Sequence, residues 1–137
     1  MCEARGRYRI VFSDVDGTLL SSEHRILPDT LEAVRALRQQ GIPFVIVSAR
    51  SPSGVYPILE EYGLRCPIIC YSGALTLDED RNILHSTGFS RDTAAEVIDF
   101  LEERGFDCAW NLFCGDRWIV KSRRDPRVQR EEASVRA

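Results

Sequence analysis

Three short apolar runs alternate with two helix patterns over the first half of the chain. No other feature of the sequence limits the fold as much. "YRIVFSD" (8–14), "IPFVIVSAR" (42–50) and "CPIICYSG" (66–73) read as buried strands, rich in aliphatic and β-branched residues. Between the first two, "PDTLEAVRALRQQG" (28–41) sets Leu31, Val34 and Leu37 on one helical face, with Pro28 near its first turn and Gly41 as its stop. Between the last two, "SPSGVYPILEEYG" (51–63) sets Ile58, Leu59 and Tyr62 on one side and closes at Gly63. Pro57 must start that helix or kink it, because it has no amide proton to donate. Strand, helix, strand, helix, strand with short links predicts an α/β fold with a parallel sheet and helices on both faces. Right-handed crossovers place the first strand inside the sheet, with its carboxyl end on the ligand side.

The pattern then changes. "ALTLDEDRNILHS" (74–86) reads as a hairpin around a polar turn. "SRDTAAEVIDFLEERG" (90–105) reads as a helix capped by Ser90, striped by Ala94, Val97, Ile98 and Leu101, and stopped by Gly105. "FDCAWNLFCGDRWIVKS" (106–122) reads as two strands around Gly115-Asp116. A boundary near residue 86 therefore separates an α/β part, 1–86, from a helix-plus-hairpin part, 87–137. The closing "KSRRDPRVQREEASVRA" (121–137) mixes both charges and reads as a solvated tail or helix.

The 137 residues suit one domain, and a net charge of −3 gives no reason to expect nucleic acid as a partner. "IPFVIV", the longest apolar run, is too short to span a membrane. Cys2, Cys66, Cys70, Cys108 and Cys114 form no CxxC, and His24 and His85 lie far apart, which argues against zinc and for free thiols in a reducing cytoplasm. The two histidines read as surface or loop residues. Trp110, Phe113 and Trp118 read as packing aromatics before they read as a substrate surface.

Asp14 and Asp16 carry the chemistry. They stand where the first strand ends, one residue apart and just before Gly17-Thr18. In an extended stretch, side chains two apart point to the same side. A carboxylate can attack a phosphoryl group to give an aspartyl-phosphate. Both reactants are anionic, so a divalent cation must offset the repulsion, and magnesium suits oxygen ligands. A second carboxyl group can protonate the leaving alkoxide and later deprotonate water. Asp14 as nucleophile and Asp16 as acid/base form a coherent pair. Gly17 lets the chain turn close to the site, and Thr18 can donate a hydrogen bond. A plain acidic turn after a strand is the competing reading, since Asp and Gly favour turns. A calcium loop starting at Asp14 would want glycine where Leu19 stands and glutamate where Arg25 stands. A phosphoacceptor receiver would want an acidic end on a later strand, where this chain has Ser48 and Tyr71-Ser72.

"DVDGTLL" after an apolar strand resembles the first motif of the haloacid dehalogenase superfamily, and "VIVSAR" resembles its second. "LEAVRALRQQGIPFVIVSAR" and "IICYSGALTLDEDRNILHS" resemble the Cof-type, type IIB branch. The resemblance implies a Rossmann-like half-core, 1–86, followed by part of an α/β type IIB cap, 87–137. It implies magnesium-dependent hydrolysis of small phosphomonoesters such as sugar phosphates. It makes Asp14 nucleophile and metal ligand, and Asp16 acid/base and a metal ligand through its backbone carbonyl. Ser48 would bind the phosphoryl group and Arg50 would face the substrate. Thr18, Ala49 and Gly73 would complete the phosphate and substrate surroundings. Ala49 stands where the family has glycine, and Ser72 where it has asparagine.

Family chains are about twice this long and carry a later lysine and a second acidic motif. "CGDRWIVKSRRD" offers Gly115-Asp116, Lys121 and Asp125. Their order is wrong for those motifs, and Gly115-Asp116 reads as a hairpin turn. The resemblance therefore implies an enzyme truncated before two of its motifs, weak or inactive alone, or a non-catalytic interaction module of the same fold. The first strand would be left as an apolar edge open to self-association.

Overall fold

A computed structural model describes residues 8–135; Cys2 lies outside them. The chain divides into two compact units at Ser86/Thr87. In the first unit the elements run β1 (Val11–Asp14), α1 (Pro28–Gln39), β2 (Phe44–Val47), α2 (Pro52–Glu61), β3 (Ile68–Cys70), a 3₁₀ turn (Tyr71–Gly73), β4 (Leu75–Leu77) and β5 (Ile83–Ser86). They make one five-stranded sheet in the order β1-β2-β3-β4-β5. β1, β2 and β3 are parallel; β4 and β5 are antiparallel additions.

One expectation fails here. Both crossovers step in the same direction across the sheet, and a right-handed crossover then puts both helices on the same face. Val11, Phe44, Ile46, Ile68, Cys70 and Leu77 point to that face. They pack with Val34 of α1 and with Val55 and Leu59 of α2 in a single core cluster. The first unit's helices thus cover one face, not two. The same stepping leaves β1 at the edge of the sheet among the described residues, the open edge that the family resemblance implies for this chain.

Pro57 neither starts nor ends α2, which runs through it. Tyr62 pins the two helices together: Ile26 N–H donates to its hydroxyl at 3.3 Å, and Arg35 Nη2 donates to its carbonyl at 3.2 Å. The β4–β5 turn is built on Asp78, whose carboxylate accepts from the amides of Asp80 (2.9 Å) and Asn82 (2.8 Å) and from the Asn82 side chain (2.9 Å).

Cys66 and Cys70 are buried free thiols. Burial pushes Cys66 up to about 11 from 9.0. A raised pKa means that the folded state holds its proton longer than the unfolded state. The stability this gives is full below 9.0 and is lost as pH rises towards 11, on the order of 2–3 kcal/mol. Chemical denaturation at pH 8 and pH 10.5 should show a smaller drop for Cys66→Ala than for the parent. Equal drops would reject the assignment.

In the second unit, Ser90 caps α3 (Arg91–Glu103), its hydroxyl accepting from Thr93 N–H at 3.1 Å. β6 (Asn111–Cys114) and β7 (Arg117–Val120) pair across a turn at Gly115-Asp116. Phe113 and Trp118 stack on one another, ring centroids 6.2 Å apart. Asp125 caps α4 (Pro126–Val135), accepting from Arg127 N–H at 2.8 Å. The Arg127 guanidinium beside it holds its carboxyl down at about 2. Lys121 pairs with Glu102 of α3 at 3.6 Å. The α3 stripe is shallower than its periodicity suggests: none of its residues is fully buried and Val97 is 51% exposed.

Candidate active site

The three parallel strands end together, and the loops that leave them are tied to one another. Asp14 is the last residue of β1 and lies opposite Val47 at the end of β2. Val15 turns fully inward, so Asp14 and Asp16 flank a buried side chain and are themselves exposed. Gly17, at φ +73°, reverses the chain in a left-handed conformation. Leu20 N–H then returns to the Val15 carbonyl at 2.9 Å, and Leu19 N–H to the Asp14 carbonyl at 3.2 Å. Leu19 and Leu20 are buried and anchor the loop in the core. Thr18, at the tip, stays exposed.

Ser48 is a buried polar residue just past β2. Its amide continues the ladder to Ile69 at 2.8 Å, and its hydroxyl accepts from Arg50 N–H at 3.1 Å. As an acceptor there, the hydroxyl keeps its own proton to donate. Ala49 is exposed beside it. Tyr71 N–H donates to the Arg50 carbonyl and Ser72 N–H to the Ser48 carbonyl, both at 3.1 Å. The loops after β2 and β3 are thus stitched by backbone bonds.

That stitching holds a strained turn. Tyr71, Ser72 and Gly73 all have positive φ, at 51°, 54° and 105°. Two of them carry side chains that normally avoid this region. Asparagine tolerates it better than serine, which gives a backbone reason for the residue that relatives of the resembling branch have where Ser72 stands. A Cβ on Gly73 would meet open space, so only the backbone resists it. Gly73→Ala should cost about 1–2 kcal/mol in thermal denaturation; an unchanged melting temperature would reject strain at this turn.

The structure gives Arg50 a partner that sequence reasoning did not. Its Nε and Nη2 donate to Asp16 Oδ2 and Oδ1 at 2.9 and 2.8 Å. The resemblance leaves this guanidinium facing a substrate; here it grips a carboxylate.

Asp14 and Asp16 offer hard oxygen donors in an exposed loop. Magnesium usually takes one or two carboxylates plus waters and substrate phosphate, so this small donor set fits it. Among the described residues no group of three or more His, Cys, Asp or Glu could hold a metal ion, so a closed protein cage for a metal is not built here.

Residues 11–136 match the family described as haloacid dehalogenase-like hydrolase. A provisionally named phosphatase of Haemophilus influenzae is 32% identical over 130 residues, covering 89% of this chain and 50% of the relative. A haloacid dehalogenase-like hydrolase from B. subtilis superposes with a TM-score of 0.78 at 23% identity, covering 93% of this chain and 44% of that one. The subclass IIB sugar phosphatase BT4131 gives a TM-score of 0.71 at 23% identity, covering 89% and 46%. This chain spans about half the length of the relatives it matches. Motif, sheet order and profile agree: the chain belongs to the haloacid dehalogenase-like hydrolases.

Proposed function

We propose that this chain carries the nucleophile half of a magnesium-dependent phosphomonoesterase acting on a small phosphorylated metabolite such as a sugar phosphate. The observation that carries the reading is the pair Asp14 and Asp16 flanking buried Val15 at the carboxyl end of β1, with Ser48 ending the neighbouring strand. Residues 1–86 act as the N-terminal part of the core and 87–137 as part of a type IIB α/β cap. Asp14 attacks phosphorus, a bond forms to its carboxylate oxygen, and the ester P–O bond breaks. Asp16 gives a proton to the departing alkoxide, then takes one from the water that cleaves the aspartyl-phosphate. Ser48 and Thr18 donate to the phosphoryl oxygens, with Ala49 and Gly73 leaving room beside them. A bound magnesium, held by the Asp14 carboxylate and the Asp16 backbone carbonyl, supplies charge neutralisation.

Turnover by this chain alone is weak in this reading. The arginine nearest the pair is already occupied by Asp16, and that same occupation favours the second reading, a non-catalytic interaction module. The apolar edge at β1 supports self-association. No described helix is long and apolar enough to cross a membrane; a cytoplasmic setting fits the free thiols. The test is phosphate release from a phosphomonoester panel with and without magnesium, in the parent and in Asp14→Asn. Release indifferent to both would refute the enzyme reading.

A further inference from the structure

Arg50 has every nitrogen engaged. Two reach Asp16, and Nη1 lies 3.5 Å from the Gly54 carbonyl in the first turn of α2. Its backbone is fixed at both ends, by the Ser48 hydroxyl and by Tyr71 N–H. The ion pair is also asymmetric. The Arg50 side chain is 12% exposed and that of Asp16 is 51% exposed. The guanidinium is the inner member and the carboxylate is the one that meets solvent. Gly54 packs beside the Arg50 stem: a Cβ there would stand in ordinary contact, 3.4 Å from Arg50 Cβ and 3.8 Å from Cδ.

We propose that Arg50 is a positioning residue, which fixes the plane of the Asp16 carboxylate through a two-pronged ion pair and does not itself clamp the phosphoryl group. This rests on Asp16 being the acid/base. An exposed aspartate at a turn tip samples several rotamers, and a planar fork anchored at both backbone ends selects one. Each carboxylate oxygen has two lone pairs, so the fork leaves one on each for the leaving group or the water. Lysine offers a point charge and cannot hold the plane.

Two measurements on the full chain test this. The first needs no turnover. In ¹⁵N NMR, the Arg50 Nε–H signal should be protected in the parent and lost in Asp16→Ala. It should also stay in place when inorganic phosphate and magnesium are added. A signal that moves with phosphate would make Arg50 a phosphate ligand and overturn the proposal. The second compares leaving groups. An alkyl phosphate such as glycerol 2-phosphate needs a proton on departure, whereas p-nitrophenolate leaves without one. Arg50→Met should lower kcat on the alkyl ester about tenfold more than on the aryl ester, with KM little changed. Arg50→Lys should recover only part of the difference. Equal losses on both esters with a raised KM would also overturn it. If the NMR pair is present but no Asp14-dependent turnover is found, the phosphatase reading falls and the role of Arg50 falls with it. If turnover is found without the pair, the positioning role alone falls.

Discussion

Asparagine at position 14 is expected to abolish covalent capture of phosphate. An amide oxygen cannot displace an alkoxide from phosphorus, and Asp14 ends β1 in an exposed position, so the substitution removes chemistry without removing a packing contact. The loss should be at least about 10³-fold, or roughly 4 kcal/mol of barrier. The parent, given labelled acetyl phosphate and magnesium, should acquire a hydroxylamine-sensitive label, and Asp14→Asn should acquire none. Asp16→Asn should behave differently. Acetate leaves without help, so the label forms, but its hydrolysis slows because water has lost its base. Equal labelling of parent and Asp14→Asn would rule out Asp14 as the nucleophile. Fast steady-state turnover by the parent would contradict the expectation of weak activity.

The second large effect concerns β1. Phe12 of the edge strand is 56% exposed, and Tyr8 and Ile10, just before the strand, are 69% and 43% exposed. Val11 N–H donates to the Pro43 carbonyl at 2.9 Å, so in a parallel ladder the amide and carbonyl of Phe12 point the other way, towards the open edge. An unpaired strand edge beside exposed apolar side chains templates association. Sedimentation velocity should show concentration-dependent oligomers for the parent. Phe12→Lys should weaken association about 10- to 100-fold, since covering a half-exposed aromatic on each of two protomers contributes roughly 1.5–3 kcal/mol in all. The substitution should cost little folding stability, because Phe12 lies outside the core cluster. A parent that stays monomeric at high concentration in light scattering would refute the idea.

The three parallel strands, both intervening helices and the positions of Asp14, Asp16, Ser48 and Gly73 were legible in the sequence. Hydrophobic periodicity fixes strands and helices locally, and strand ends fix where loops gather. What was illegible depended on the direction of each crossover and on neighbours far apart in sequence. Nothing within β1 says which strands flank it; its open edge was expected from the family resemblance, not from the strand's own residues. The ion pair between Asp16 and Arg50 joins residues 34 apart in sequence. The left-handed run at Tyr71-Ser72 is held by hydrogen bonds that the Tyr71 and Ser72 amides donate to the carbonyls of Arg50 and Ser48, against the preference of either residue.

Among the described residues β1 carries an open edge and, at its tip, the proposed nucleophile, and the two are not electrically independent. Phe12 and Asp14 share a face of the strand, about 7 Å apart along it. A basic side chain introduced at residue 12 to guard the edge would therefore be a counter-ion for Asp14 as well, competing with any metal for the same carboxylate. A neutral guard such as Phe12→Thr separates the two influences. A comparison of the lysine and threonine variants would measure how much of any change at Asp14 comes from the charge placed beside it and how much from the loss of the aromatic at the edge.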